Sequence, residues 1–427
     1  MTREVKLEQL QSYDGMLNAV AAEAESEFRA AMAAKAEALG AFEEWDGAAK
    51  SEFRDFAAEQ MRTLGLAFGD ASASTAQTFC DTALDSELDV ALSEDGCITS
   101  ESAEKSARYW AGSLYGDDAS AQRFVDGCAA KVNRSVSHAA DLRVAAAAVS
   151  ANKGGNARGG RKRVKFARVP VGPTCPFCIM LASRGFVYAT AKTAGELGQY
   201  HDRCNCRIVA GYEGLQVEGY NYEDMYKRFG MCMKTLGGED QVWKDWEGLS
   251  ADERGGMKFS EYSTKRILHE MDTRDRRWLF DGTIPEPTFE SKALETEIRT
   301  KRPHEIRTAW RLAQQGVRID FWTDFTEERD AKTGAVYLRG LPDSRNGYEI
   351  KTLNKSVTIN TVNDYLRNAS RKRGCSALVF DISEVQEAFD IDALIRESRR
   401  FKKGRVYVLN GGSYRLAQRS ERLTHHQ

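Results

Sequence analysis

The chain has 427 residues, a net charge of −2, 42% hydrophobic and 29% charged residues, and at roughly 150 residues per domain it calls for about three cores. Its longest apolar run, Val144 to Val149, is far short of the ~20 residues of a membrane span. The opening Met-Thr-Arg-Glu-Val-Lys carries no signal-peptide core, so synthesis in a cytoplasm without membrane insertion is expected.

Charge is unevenly spread: residues 1–150 hold 13 Lys and Arg against 26 Asp and Glu, whereas residues 301–427 hold 24 against 16. A basic end suits a polyanionic partner, because neutralising phosphates releases counterions. Residues 1–150 are Ala-rich, with apolar positions at helical spacing such as Phe28, Met32 and Ala36, or Phe53, Phe56 and Met61. An all-α bundle follows, with turns near Gly47, Gly69-Asp70, Asp95-Gly96 and Gly116-Asp117-Asp118. Residues 151–168 hold a Gly-rich basic run that reads as a linker or extended arm, either solvated or touching nucleic acid.

Residues 169–240 form a small α+β module around Cys175-Pro-Phe-Cys178 and His201-Asp-Arg-Cys204-Asn-Cys206. Four such ligands close a tetrahedral Zn²⁺ site. Cys175, Cys178, His201 and Cys206 are the preferred set, with Cys204 the substitute; disulfides or plain burial are the alternatives. The odd total of nine cysteines argues against a complete disulfide framework. The string from Arg168 to Tyr188, with Tyr200 to Cys206, resembles the minor head proteins of tailed phages of the Mu F type over about residues 100 to 230. That resemblance implies a role in head morphogenesis inside a capsid, near the portal, with phage capsid proteins as partners and virion and bacterial host cytoplasm as locations.

Residues 241–300 read as a helical connector with Trp243, Trp246 and Tyr262, punctuated by Pro285 and Pro287. From residue 301 to 427 helices and strands alternate. The pattern predicts a helix over 305–315, strands over 317–321, 335–341 and 347–353, a helix over 360–372, a strand over 377–382, a helix over 391–401 and a strand over 405–409. That order makes an α/β sheet covered by helices.

Within it, Glu349-Ile-Lys351 follows the turn Asp343-Ser-Arg-Asn-Gly347. Alternation on a strand puts Glu349 and Lys351 on one face and Ile350 on the other. Two carboxylates, Asp343 and Glu349, suit Mg²⁺, and Lys351 suits a developing phosphoryl charge. Glu305 on the preceding helix is either a fourth member or an ordinary first-turn Glu favoured by the helix dipole. The competing reading of the cluster is a polar hairpin with a weak cross-strand pair. Residues 303–410 resemble PD-(D/E)xK nucleases, more narrowly the tRNA nuclease domain ending contact-dependent growth inhibition toxins. The resemblance implies Asp343 and Glu349 as metal ligands, Lys351 as catalytic lysine, tRNA as substrate and a cognate immunity protein. One departure is the following helix, which offers Asn360, Asn363 and Asp364 where Gln or Lys is expected. Arg367, Arg371, Lys372 and Arg373 would line a phosphate-binding face or simply a solvated one. Taken together the expectation is a phage head protein with an appended toxin nuclease. A DNase of the same fold, or a structural virion protein with a degenerate nuclease domain, are the alternatives.

Overall fold

A computed structural model describes residues 4–84, 97–116, 118–153, 164–188, 206–211, 215–329, 336–344, 347–372, 374–398, 400–401 and 403–417. The chain divides into two units, Met1–Glu223 and Asp224–Gln427. Among the described residues no helix is long and apolar enough to cross a membrane.

The first unit is built on long helices: α1 (Leu7–Leu39), α2 (Gly47–Leu84), α3 (Ser100–Trp110) and α4 (Ala121–Lys153). A two-residue strand β1 (Glu4–Val5) precedes them. In α1 the buried positions Leu10, Tyr13, Leu17, Ala21, Ala24, Phe28 and Met32 recur every three or four residues, so a single stripe faces its neighbours. One end of that stripe packs with Phe53, Met61, Phe124 and Val132 of α2 and α4. At the other end Tyr13 stacks on Phe79 with ring centroids 4.3 Å apart.

Two local expectations are corrected. Gly69-Asp70 is not a turn, because α2 runs through it. Gly65 and Gly69 lie on one helix face, and the segment after the described gap crosses there: Cys97 N–H donates to the Gly65 carbonyl at 3.0 Å. A Cβ on Gly65 would stand 2.7 Å from the Ile98 side chain, and one on Gly69 would stand 3.1 Å from the Cys97 nitrogen. The glycines admit a close crossing rather than a bend. The second correction concerns the basic run: its end is strand β2 (Lys165–Pro170), buried at five of six positions and paired antiparallel with β3 (Cys206–Gly211) from Lys165↔Gly211 to Pro170↔Cys206. Helix α5 (Pro176–Ala182) follows β2, and β4 (Gln216–Val217) pairs parallel with β1.

The second unit holds most of α6 (Tyr222–Thr235), then α7 (Glu239–Glu247), α8 (Ala251–Arg254), α9 (Phe259–Met271) and α10 (Arg276–Asp281). Next come β5 (Thr288–Phe289), α11 (Lys292–Lys301), α12 (Pro303–Gln314), β6 (Asp320–Arg329), β7 (Val336–Ser344) and β8 (Tyr348–Thr352). The last elements are α13 (Ile359–Arg371), β9 (Ala377–Asp381), α14 (Ile391–Glu397), β10 (Arg405–Asn410) and β11 (Ser413–Leu416). Strands β5, β6 and β7 form one ladder, and a four-stranded sheet has the order β11-β10-β9-β8. Within it β8, β9 and β10 are parallel and β11 is antiparallel to β10.

Parallel strands buried on both sides carry near-continuous apolar runs, and Ala-Leu-Val-Phe-Asp of β9 is buried at all five positions. One sheet face, with Tyr348, Ile350, Val379 and Tyr407, packs on Leu294 and Ile298 of α11 and Ala309 and Leu312 of α12. The other, with Leu378, Phe380, Val406 and Val408, packs on Val362 and Leu366 of α13 and Ile395 of α14. The mixed helical and sheet character expected from the sequence is therefore present.

Candidate functional site

Strand β8 delivers Glu349 and Lys351 to the face covered by α13. Their β9 partners in register are Leu378 and Phe380, both in the α13-side core, whereas Ile350 belongs to the α12-side core. Glu349 is 5% exposed. A buried carboxylate needs partners, and two ammonium groups supply them: Lys351 and Lys372 each bond one of its oxygens. Burial pushes the Glu349 carboxyl up, and the two lysines overcome that and hold it below the usual carboxylate range. The Lys351 ammonium also stands 5.6 Å from the centre of the Tyr365 ring on α13. Lys372 follows the last turn of α13 as its C-cap, so the packing of that helix brings it to Glu349 from 23 residues away.

The remaining sequence-expected residues are spread out. The Asp343 backbone pairs with Trp322 in the β6–β7 ladder, a different ladder from that of β8, and its side chain lies outside the described residues. Glu305 sits in the first turn of α12, paired with Arg302 at 3.2 Å. That helix covers the sheet face opposite Glu349: Thr308 meets Thr352 at 2.7 Å. Asp381, at the end of β9, is fully buried. It accepts from Thr308 at 2.6 Å, from Arg311 at 2.8 Å and from the Ser383 backbone at 2.9 Å. With Arg307 and Arg311 both bonded to Glu384, whose carboxyl Arg307 first and then Arg311 hold at about 2, this network clamps α12 to β9.

In the first unit, Cys175 and Cys178 bracket the start of α5: Cys175 is its N-cap, accepting from the Cys178 N–H at 3.4 Å. Cys206 opens β3, and its sulfur lies 3.2 Å from that of Cys178, with Cys175 packed against both. Tetrahedral Zn–S bonds of ~2.3 Å set sulfurs about 3.8 Å apart, so this contact is tighter than between zinc ligands. Among the described residues no three His, Cys, Asp or Glu groups are arranged to hold a metal. His201 and Cys204 lie outside the described residues.

The residue after Cys206 is the one that the sequence reading missed. Arg207 is fully buried. It pairs with Asp14 at 2.8 Å and Asp141 at 3.5 Å and donates to Asn18 at 2.9 Å. Asp141 also accepts from the Ile208 N–H at 2.6 Å and lies 2.9 Å from His138 Nδ1. A charged residue in the otherwise apolar string Ile-Val-Ala after Cys206-Arg207 is the available sequence signal.

These features define a two-unit protein: a helical body with a cysteine cluster on a small sheet, and an α/β body with a half-open Glu–Lys–Lys niche. The chain belongs to the VG15 protein family, a viral, phage-type family whose model matches residues 6–232. No curated protein and no solved structure matches it.

Proposed function

We propose that the chain is a phage head-associated protein of the Mu F type whose residues 301–427, within the second unit, form a metal-dependent nuclease, hydrolysing phosphodiester bonds with tRNA as the favoured substrate. The observation that carries the nuclease reading is the placement of Glu349 and Lys351 side by side on a buried strand, with Lys372 as a second cation. Two ammonium groups at one niche suit an incoming phosphodiester, whose non-bridging oxygens they would neutralise as charge develops. Glu349, held ionised by the same lysines, would orient a water or a cation. Among the described residues it is the only carboxylate whose contacts place it there, so a Mg²⁺ ion would need Asp343 as the second ligand. Such an ion supplies Lewis-acid polarisation of the phosphoryl group.

Unit one would contact phage capsid or portal proteins within the virion. Structural Zn²⁺ there would be held by Cys175, Cys178 and Cys206 with His201 or Cys204, after a small rotation that opens the sulfur contact. The nuclease would act in the bacterial host cytoplasm and be restrained by a cognate immunity protein. A second reading, a structural virion protein with a degenerate nuclease domain, is favoured by one observation: Glu349 is already neutralised, and Glu305 stands on the other sheet face.

Incubating the full chain with total RNA or with plasmid, in Mg²⁺ or in EDTA, separates these readings. RNA cleavage in Mg²⁺ alone is expected, with Glu349→Gln or Lys351→Ala losing at least about 100-fold. Plasmid cleavage without RNA cleavage would make it a DNase. An inert wild-type chain would leave the structural reading.

A further inference from the structure

We infer that the first unit carries an oxidative modification site: Cys178 on α5 and Cys206 at the start of β3 close into a disulfide, with Cys175 as the thiol through which an oxidant enters. The two sulfurs stand 3.2 Å apart, and an S–S bond measures about 2.05 Å, so roughly 1 Å of approach separates contact from bond. The partners are 28 residues apart in sequence, and both elements that carry them are anchored. Strand β3 pairs with β2 from Cys206 onward, and the next residue, Arg207, is locked by Asp14 and Asp141. Helix α5 is buried at six of its seven positions, and the Tyr188 hydroxyl donates to the Leu181 carbonyl of its last turn at 3.1 Å. The meeting of the sulfurs is therefore imposed by the fold of the unit rather than by a local turn.

Site-selective oxidation needs a thiolate and a route of approach. For the first, the buried Arg168 guanidinium lies 3.9 Å from the Cys178 sulfur, and a cation there favours the attacking form. For the second, Cys178 and Cys206 are themselves fully buried, but Cys175 packs against both and is only half-buried. The thiols of Cys80, Cys97 and Cys128 are the contrast. Burial pushes each of them up to about 12, so they stay protonated and inert.

With a small-molecule disulfide such as oxidised glutathione as the oxidant, the reaction balances. The Cys175 thiolate attacks one sulfur of the oxidant, which releases one glutathione thiolate and leaves a mixed disulfide. Cys178, whose N–H already donates to the Cys175 sulfur at 3.4 Å, attacks that sulfur and expels the second glutathione thiolate. Cys206 then attacks the Cys178 sulfur, forms the bond and returns Cys175 as a thiolate. The protons of Cys178 and Cys206 pass to the two glutathione thiolates, and the pair has given two electrons to the oxidant. Joined sulfurs are no longer thiolates, so this bond and the Zn²⁺ proposed above exclude each other. The cluster stays reduced and open to metal where glutathione keeps thiols reduced, and closes outside such a compartment. The bond itself needs neither the metal nor the nuclease reading.

The test uses the full chain, reduced, stripped of metal with EDTA and then exposed to oxidised glutathione. Remaining thiols are alkylated and the tryptic peptides are mapped by mass spectrometry. Residues 169–184, which hold Cys175 and Cys178, should be joined to residues 204–207, with fragment ions placing the bond at Cys178 and Cys206. Cys204→Ser should keep that bond, and Cys206→Ser should lose it. Cys175→Ser should reach the same product at least about tenfold more slowly, because the accessible thiol is gone. One equivalent of zinc chloride added beforehand should slow the wild-type chain by about the same factor. A wild-type bond through Cys204 or Cys175, glutathione adducts without a protein disulfide, or Cys178 and Cys206 both alkylated after oxidation overturns the proposal. Those three outcomes are read on the wild-type chain and do not depend on any variant folding. Oxidation of Cys175→Ser as fast as wild type overturns the entry route. An unchanged rate in zinc would sink the zinc assignment and leave the bond; zinc retained by a chain that never forms the bond would do the reverse.

Discussion

Among the buried charge clusters, two invite comparison, one in each unit and opposite in sign. In the first, the Arg207 cation is held by two carboxylates; in the second, the Glu349 carboxylate is held by two ammonium groups. They differ in access. Arg207 and Asp141 are both fully buried, while Lys351 and Lys372 keep 29% and 31% of their side-chain surface in water. A sealed cluster can only hold its elements together, since any loss leaves a bare charge in the core. A half-open one can exchange a partner for an incoming anion at small cost. Burial of charge alone therefore does not separate a purely structural cluster from a candidate site; access of the counter-charges to water is what distinguishes these two.

The largest effect should come from the sealed cluster. Arg207→Met leaves Asp141 buried without its cation and Asp14 unpaired, and is expected to cost about 3 to 5 kcal/mol. Glu349→Gln, whose lysines can turn to solvent, should cost about 1 kcal/mol. Hydrogen exchange read on peptides of α1, α4 and β3 for the first variant, and of β8 and β9 for the second, gives both values in one chain. Comparable losses at the two sites would erase the distinction.

How much of this contrast could be read from sequence depends on the range of the contacts. The alternation Glu-Ile-Lys sorts Glu349 and Lys351 onto one face of β8 because a strand has period two, and the apolar string of β9 marks a doubly covered strand. Helix α13 begins and ends within a residue of its expected span for the same local reason. What was hidden is long-range. Lys372 was visible as one of several basic residues, but nothing in its neighbourhood says that α13 carries it to Glu349. Glu305 has an ordinary first-turn position, and the sequence cannot say that α12 covers the opposite face. Gly69-Asp70 has the composition of a turn. Only the crossing of Cys97 and Ile98 explains a glycine inside a helix.

Acidification should separate the units next. Burial first, then the nearby Arg207 and Arg168, lower the His138 pKa below 6.5 despite the raising effect of Asp141. The folded state thus resists a proton that the unfolded state accepts. The stability of the first unit is full above pH 6.5 and declines as pH falls below it, by at most about 1.4 kcal/mol per pH unit for one group. The Glu349 carboxyl is held below 4.5, so its contribution is present above pH 4.5 and is lost only as pH falls further. Exchange protection measured from pH 8 to pH 4 should weaken first in α4 and later in β8. His138→Gln should remove the early loss; an unchanged slope in that variant would assign it to other groups.

The smallest effects lie at the two lysines, and their combination is the informative part. Lys351→Met alone leaves Glu349 with Lys372, and Lys372→Met alone leaves it with Lys351, so each should cost about 0.5 to 1 kcal/mol, the scale of a partly exposed ion pair. The double variant strips a carboxylate that is 5% exposed of both counter-charges. Its carboxyl then rises above the usual range as burial acts unopposed, and the loss should exceed the sum of the single losses by at least about 1 kcal/mol at pH 7. The excess should fade as pH approaches the raised pKa, where the carboxyl is neutral. Strict additivity in denaturant unfolding of the three variants would mean that Glu349 finds other partners or water when the lysines go. That outcome would make the niche an exposed surface pair and remove the basis for treating its lysines as exchangeable for a phosphate.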